Sequence, residues 1–161
     1  MGLLLEFLVL KLVQPYETTE EVPMAKKILI IDELTNRLTP DLEANNYQVW
    51  RSGNAREGLA RALELKPQLI LMNLNLAGLN GFGFELCKKM RSFPELRHIP
   101  IIIFSGENKL KNMVTAYEMG ADYYIVKGEE DDRVLTLLIE TIFTRLSRQH
   151  SFDTQVKQHY V

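Results

Sequence analysis

Short apolar runs rich in β-branched residues, each ending in a polar group, recur along this chain with helical spacing between them. Ile28-Leu29-Ile30-Ile31 is followed at once by Asp32-Glu33, and similar runs lie at Gln68 to Met72, Ile101 to Phe104 and Tyr123 to Val126. A weaker one runs from Tyr47 to Trp50. Unbroken apolar runs this short suit strands buried on both faces. Leu59, Ala62 and Leu63 follow Asn54, a helix-capping residue type, and Phe84, Leu86, Cys87 and Met90 follow Gly83. Leu110, Met113, Val114 and Tyr117 precede Gly120, a helix stop, and Val134 to Leu146 gives a last helix with a broad apolar face. Five alternations of strand and helix predict an α/β domain around a parallel sheet.

Composition narrows the setting. A length of 161 residues suits one domain, and 46% hydrophobic residues can fill a core, which excludes a disordered chain. With 19 Lys+Arg against 21 Asp+Glu the net charge is −2, which argues against nucleic acid as a partner. One cysteine, Cys87, excludes a disulfide framework, and His98, His150 and His159 have no metal-ligand spacing. A cytoplasmic globular protein is expected. Leu3 to Val13 is apolar but too short to span a bilayer and lacks the features of a signal peptide. It reads as an added helix or strand, as an oligomerisation or membrane-surface segment, or as an extension upstream of a start at Met24. Gln14 to Pro23 reads as a linker. The expected organisation is an extension over residues 1–25, a domain over 26–148 and a solvated or disordered tail over 149–161, too short for an output domain.

In open parallel sheets, function collects outside the C-terminal strand ends. Asp32 and Glu33 follow the first strand, Asn73 and Asn75 the third, Ser105 the fourth and Lys127 the fifth. Two carboxylates, amides, a hydroxyl and an ammonium would thus converge on one pocket. Cys87 and Trp50 read as packing residues.

From Lys26 to about Arg148 the chain resembles the receiver domain of two-component response regulators. Ile28-Leu29-Ile30-Ile31-Asp32-Glu33 matches the family's first strand and acidic pair. Leu69-Ile70-Leu71-Met72-Asn73-Leu74-Asn75-Leu76-Ala77-Gly78-Leu79-Asn80-Gly81 matches the segment around its phosphorylated aspartate. Ser105 falls on the family's Ser/Thr switch position, Lys127 on its lysine, and Tyr124 on the aromatic coupled to that switch. The resemblance implies a flavodoxin-like, doubly wound sheet of five parallel strands in the order 2-1-3-4-5. It also implies magnesium coordinated at Asp32, Glu33 and the Asn75 carbonyl.

The departures fall at the chemistry. Asn73 stands at the acceptor position, and a neutral amide cannot take a phosphoryl group as a carboxylate does. Losing that carboxylate removes a charge worth at most ~4 kcal/mol to a cation at ~4 Å and an effective dielectric of 20. Magnesium is therefore expected to bind weakly or not at all, and no cofactor is required. Asn73 instead is expected to donate to the carboxylates and accept from Lys127. Gly128 replaces the family's proline after the lysine, so the loop is expected to be trans. Ala77 replaces another proline. The segment between Asp32 and Tyr47 is short and contains Pro40, which suits a first helical turn capped by Thr39.

The expected function is that of a pseudo-receiver: a phosphorylation-independent interaction module, not an enzyme, that regulates a protein partner. That partner would be a histidine kinase, a response regulator, another signalling protein or a second copy of the chain in a homodimer. The expected partner face carries Tyr117, Tyr124, Glu129, Glu130 and Arg133. A competing reading is an atypical receiver still acting in a phosphorelay through another residue, such as Ser105, or through metal binding. A ligand-binding or hydrolytic use of the same sheet lacks a glycine-rich phosphate loop after strand one and any Ser/His/Asp or Cys/His set.

Overall fold

The computed structural model describes residues 25–32, 38–76, 82–128 and 131–159. In chain order these form β1 (Lys26–Ile31), α1 (Leu38–Ala44), β2 (Tyr47–Ser52), α2 (Ala55–Leu65) and β3 (Leu69–Met72). There follow α3 (Phe82–Ser92), β4 (Ile101–Ser105), α4 (Leu110–Glu118), β5 (Tyr123–Val126) and α5 (Asp131–His159). The strands make one parallel sheet in the order β2-β1-β3-β4-β5. The predicted strands and helices thus fall where the hydrophobic spacing put them, and the sheet has the flavodoxin-like order. Residues 1–24, with the Leu3 to Val13 run, and Glu33, Ala77, Glu129 and Glu130 lie outside the described residues.

The unbroken apolar runs have a direct structural cause. Each strand sends alternate side chains into two cores, one on either face of the sheet. Leu29, Ile31, Ile70, Met72, Ile101 and Ile103 pack with Ala62, Leu86, Cys87, Met90 and Ala116 of α2, α3 and α4. Ile28, Ile30, Leu69, Leu71, Ile102 and Phe104 pack with Leu38 and Leu42 of α1 and with α5. Burial of each such side chain contributes about 1.5–3 kcal/mol, so a polar residue within a run would be expelled from one core or the other.

Helix ends follow local chemistry. Asn54 caps α2, its side chain accepting the Glu57 N–H at 2.9 Å, and Lys66 closes the helix with φ 45°. α1 is short, as expected, with Pro40 in its first turn. Thr39 lies inside this helix instead of capping it, and its hydroxyl accepts from the Arg51 guanidinium at 2.6 Å. Gly120 ends α4 with φ 102°, and a Cβ there would lie 2.6 Å from Arg91 Cγ. At that end of the sheet Arg91 donates to the Gly120, Leu96, Arg97 and Ile99 carbonyls and to Asp122.

The last helix departs from its expected length. Leu135, Ile139, Ile142 and Phe143 are buried, and Phe143 meets Tyr47 at 5.0 Å between ring centroids. The helix does not stop near Arg148, where the sequence suggested a tail; its backbone continues to His159. Its apolar spacing fades after Leu146, so periodicity saw only the packed part. Among the described residues no helix is long and apolar enough to cross a membrane.

Candidate functional site

The sheet ladder runs one residue beyond the strands and so fixes the pocket. Asp32 N–H donates to the Ser52 carbonyl at 3.0 Å, Asn73 N–H to Ile31 at 3.1 Å and Lys127 N–H to Ser105 at 2.8 Å. Parallel pairing therefore delivers Asp32, Asn73, Ser105 and Lys127 to one crest, as the spacing of the runs predicted. Asp32 is 5% exposed, Asn73 8% and Ser105 0%. Gly83, at the start of α3, lets that helix close on Asn73: a Cβ there would stand 2.7 Å from the Asn73 carbonyl oxygen.

Lys127 Nζ lies 2.7 Å from Asp32 Oδ2. The Asn73 amide donates through Nδ2 to Asp32 Oδ1 at 3.4 Å, while its Oδ1 accepts the Asn75 N–H at 3.3 Å. The sequence suggested that Asn73 would accept from Lys127. The ammonium goes instead to the formal charge on Asp32, because a charge-assisted bond outweighs one to a neutral amide.

A second cluster adjoins the first. Glu107 N–H donates to Ser105 Oγ at 3.3 Å, and the Tyr124 hydroxyl donates to the Glu107 carbonyl at 2.7 Å. Asn75 and Asn112 donate through Nδ2 to the two Glu107 carboxylate oxygens at 3.4 and 3.2 Å. Burial pushes the Tyr124 phenol above its ordinary value; its bond with Ser105 opposes the rise and the Glu107 charge adds to it. Glu107 and Asn112 were missed in the sequence. The one available signal was the place of Glu107, two residues beyond Ser105.

The expected partner-face residues are spread differently. Tyr117 is half exposed on α4 and Arg133 is exposed on α5, while Tyr124 turns its hydroxyl inward. Cys87 is buried, and that burial pushes its thiol up to about 11, which fits a packing role. The Lys127–Gly128 peptide is trans.

Of the residues expected to hold magnesium, Asp32 and Asn75 are described and Glu33 lies outside the described residues. Both Asp32 oxygens already face donors, Lys127 Nζ and Asn73 Nδ2, and Asn73 turns N–H groups, not oxygen, toward Asp32. Among the described residues no three His, Cys, Asp or Glu side chains gather as a metal site.

The five-stranded 2-1-3-4-5 sheet thus carries an acidic residue, an amide, a hydroxyl and a lysine at its strand ends. The chain belongs to the response regulator receiver domain family, whose model matches residues 28–139. It is 32% identical over 130 residues to the transcriptional regulatory protein ResD of Bacillus subtilis, covering 79% of this chain and 52% of ResD. It is 30% identical over 112 residues to protein PilH of Pseudomonas aeruginosa, covering 68% of this chain and 91% of PilH. The chain thus spans about half of one relative and nearly all of the other. Among solved structures, a CheY-like receiver domain protein from Methanospirillum hungatei superposes with a TM-score of 0.65 at 28% identity. That match covers 77% of this chain and 98% of the other. The receiver domain of a histidine kinase from Syntrophus aciditrophicus gives a TM-score of 0.66 at 30% identity, covering 77% and 94%. The chain is a receiver domain of two-component signalling, a module that works through kinases or other signalling proteins.

Proposed function

We propose that this chain is a pseudo-receiver: it signals by protein contact, without accepting a phosphoryl group and without a required metal. The observation that carries this reading is Asn73. It stands at the family's acceptor position, and its amide is already engaged with Asp32 and the Asn75 N–H. Lys127 neutralises the Asp32 carboxylate from within, so an oxygen that would draw magnesium already faces the chain's own ammonium. Ser105 is fully buried, which speaks against its hydroxyl as a substitute acceptor. The partner is a signalling protein that reads the face of α4, β5 and the start of α5, including Tyr117 and Arg133.

Intact-mass spectrometry after incubation with acetyl phosphate and magnesium tests the reading. The wild type is expected to stay unmodified and Asn73→Asp to gain one phosphoryl group. A phosphorylated wild type would overturn it. A magnesium titration complements this, with only weak binding expected, in the millimolar range typical of poorly built sites (~10⁻³ M).

A further inference from the structure

Every polar group of Glu107 is used, and each by a different element. Its N–H goes to Ser105 at the end of β4 and its carbonyl receives the hydroxyl of Tyr124 from β5. Its carboxylate receives Asn75, which follows β3, and Asn112, in the first turn of α4. Among the described residues no other side-chain hydrogen bond reaches residues 106–109. Gly106 has no side chain, and a Cβ there would meet nothing within 4 Å. Lys109, at the start of α4, makes no side-chain capping bond. The Asn112–Glu107 bond therefore provides a side-chain tie between the first turn of α4 and the loop before it. A peptide flanked by glycine and open space can pivot unless its side chain is anchored on both sides, and the two amides supply that anchorage.

We propose that Glu107 is a positioning residue: its carboxylate, held between Asn75 and Asn112, fixes the β4–α4 loop so that the Glu107 carbonyl seats the Tyr124 hydroxyl. The orientation of Tyr124, and of the β5 surface beside α4, is then set by a carboxylate the chain carries and not by a group added at the strand-three position. This deepens the pseudo-receiver reading and rests on it, because in that reading no phosphoryl group arrives to move the loop.

The test uses the full chain labelled with 3-fluorotyrosine and observed by fluorine NMR without any phosphoryl donor. Tyr124→Phe identifies the Tyr124 line, and the half-exposed Tyr117 supplies a solvent-facing reference. Glu107→Ala is expected to move the Tyr124 line toward the reference while the amide spectrum keeps its dispersion. Glu107→Gln, which retains one acceptor oxygen, is expected to give an intermediate shift, a graded response that a general packing defect would not produce. Should Glu107→Ala fail to fold, the double variant Asn75→Ala/Asn112→Ala removes the anchors while keeping Glu107, and the same displacement is expected. A Tyr124 line that stays at its wild-type position in the folded variants would overturn the proposal. A wild type that takes phosphate from acetyl phosphate would sink the functional reading alone, since these lines are recorded without a donor.

Discussion

The two ends of the sheet are held together in different ways. At the end where the strands begin, one guanidinium does the work: Arg91 donates at 2.7–3.2 Å to four carbonyls and to Asp122 Oδ2, which also receives the Ile101 N–H at 2.7 Å. At the end where the strands finish, two 2.7 Å bonds (Lys127 to Asp32 and Tyr124 to Glu107) are joined by longer contacts of 3.2–3.4 Å, all from neutral donors, among Asp32, Asn73, Asn75, Ser105, Glu107 and Asn112. Charged donors give stronger bonds than neutral ones. One end is therefore bolted by a single guanidinium, and the other combines one ion pair with several longer links from neutral donors.

Substitutions at the two ends should separate these roles. Arg91→Ala strips a charged donor from four carbonyls and one carboxylate, and is expected to cost on the order of 3–4 kcal/mol. Chemical denaturation would read this as a lower midpoint, with the Tyr124 fluorine line unmoved in the folded state. A loss below ~1 kcal/mol would erase the contrast. Lys127→Ala takes the ammonium from the 5% exposed Asp32. Breaking a fully buried pair costs about 3–5 kcal/mol, and the partial exposure of Lys127 lowers the expected loss to about 2 kcal/mol. Unlike Arg91→Ala, it should change the chemical shifts of the Asn73 side-chain amide.

A steric change sharpens the contrast further. Gly83→Ala drives a Cβ against backbone, 2.7 Å from the Asn73 oxygen and 2.8 Å from Leu74 Cα. Overpacking of this kind is expected to cost about 1–2 kcal/mol and to displace Asn73, whereas Gly106→Ala meets open space and should leave the pocket alone. Equal losses at the two glycines would refute that difference. The smallest effect is a pH dependence. Tyr124 and Tyr47 both ionise above the ordinary phenol value, chiefly through burial. The fold favours the neutral phenol, so this stabilisation is complete below the unfolded value of ~10 and disappears as pH rises through the folded values. Denaturation midpoints should fall above pH ~10, less steeply in Tyr124→Phe; identical slopes would contradict the sign.

These two ends also differ in how far the sequence revealed them. The crest was legible because a parallel sheet with uniform runs puts the residue after each run at the same height, so Asp32, Asn73, Ser105 and Lys127 could be placed together without coordinates. Their partners were less so. That Lys127 chooses Asp32 over Asn73 depends on competition between two acceptors, which spacing does not encode. Arg91 was invisible for a related reason: four of its bonds go to backbone carbonyls, which have no residue type to signal them, and Glu107 offered only its place two residues beyond Ser105. Cys87 and Asn54, whose roles depend on burial within a helix and on one local cap, were read directly.

Helix α5 has its own division. As far as Leu146 one side of it (Leu135, Leu138, Ile139, Ile142, Phe143 and Leu146) packs in the core, whereas every side chain from Ser147 to Asp153 is exposed. The backbone from Ser147 to His159 rises ~20 Å at about 1.5 Å per residue. A helical stretch of that length is marginal in water by itself, so its outer turns are expected to open at a lower free-energy cost than the inner turns, which share the global unfolding of the domain. One continuous rod is thus expected to belong to two thermodynamic systems, and limited proteolysis is expected to shorten the outer half while the five-stranded unit that carries the pocket stays intact.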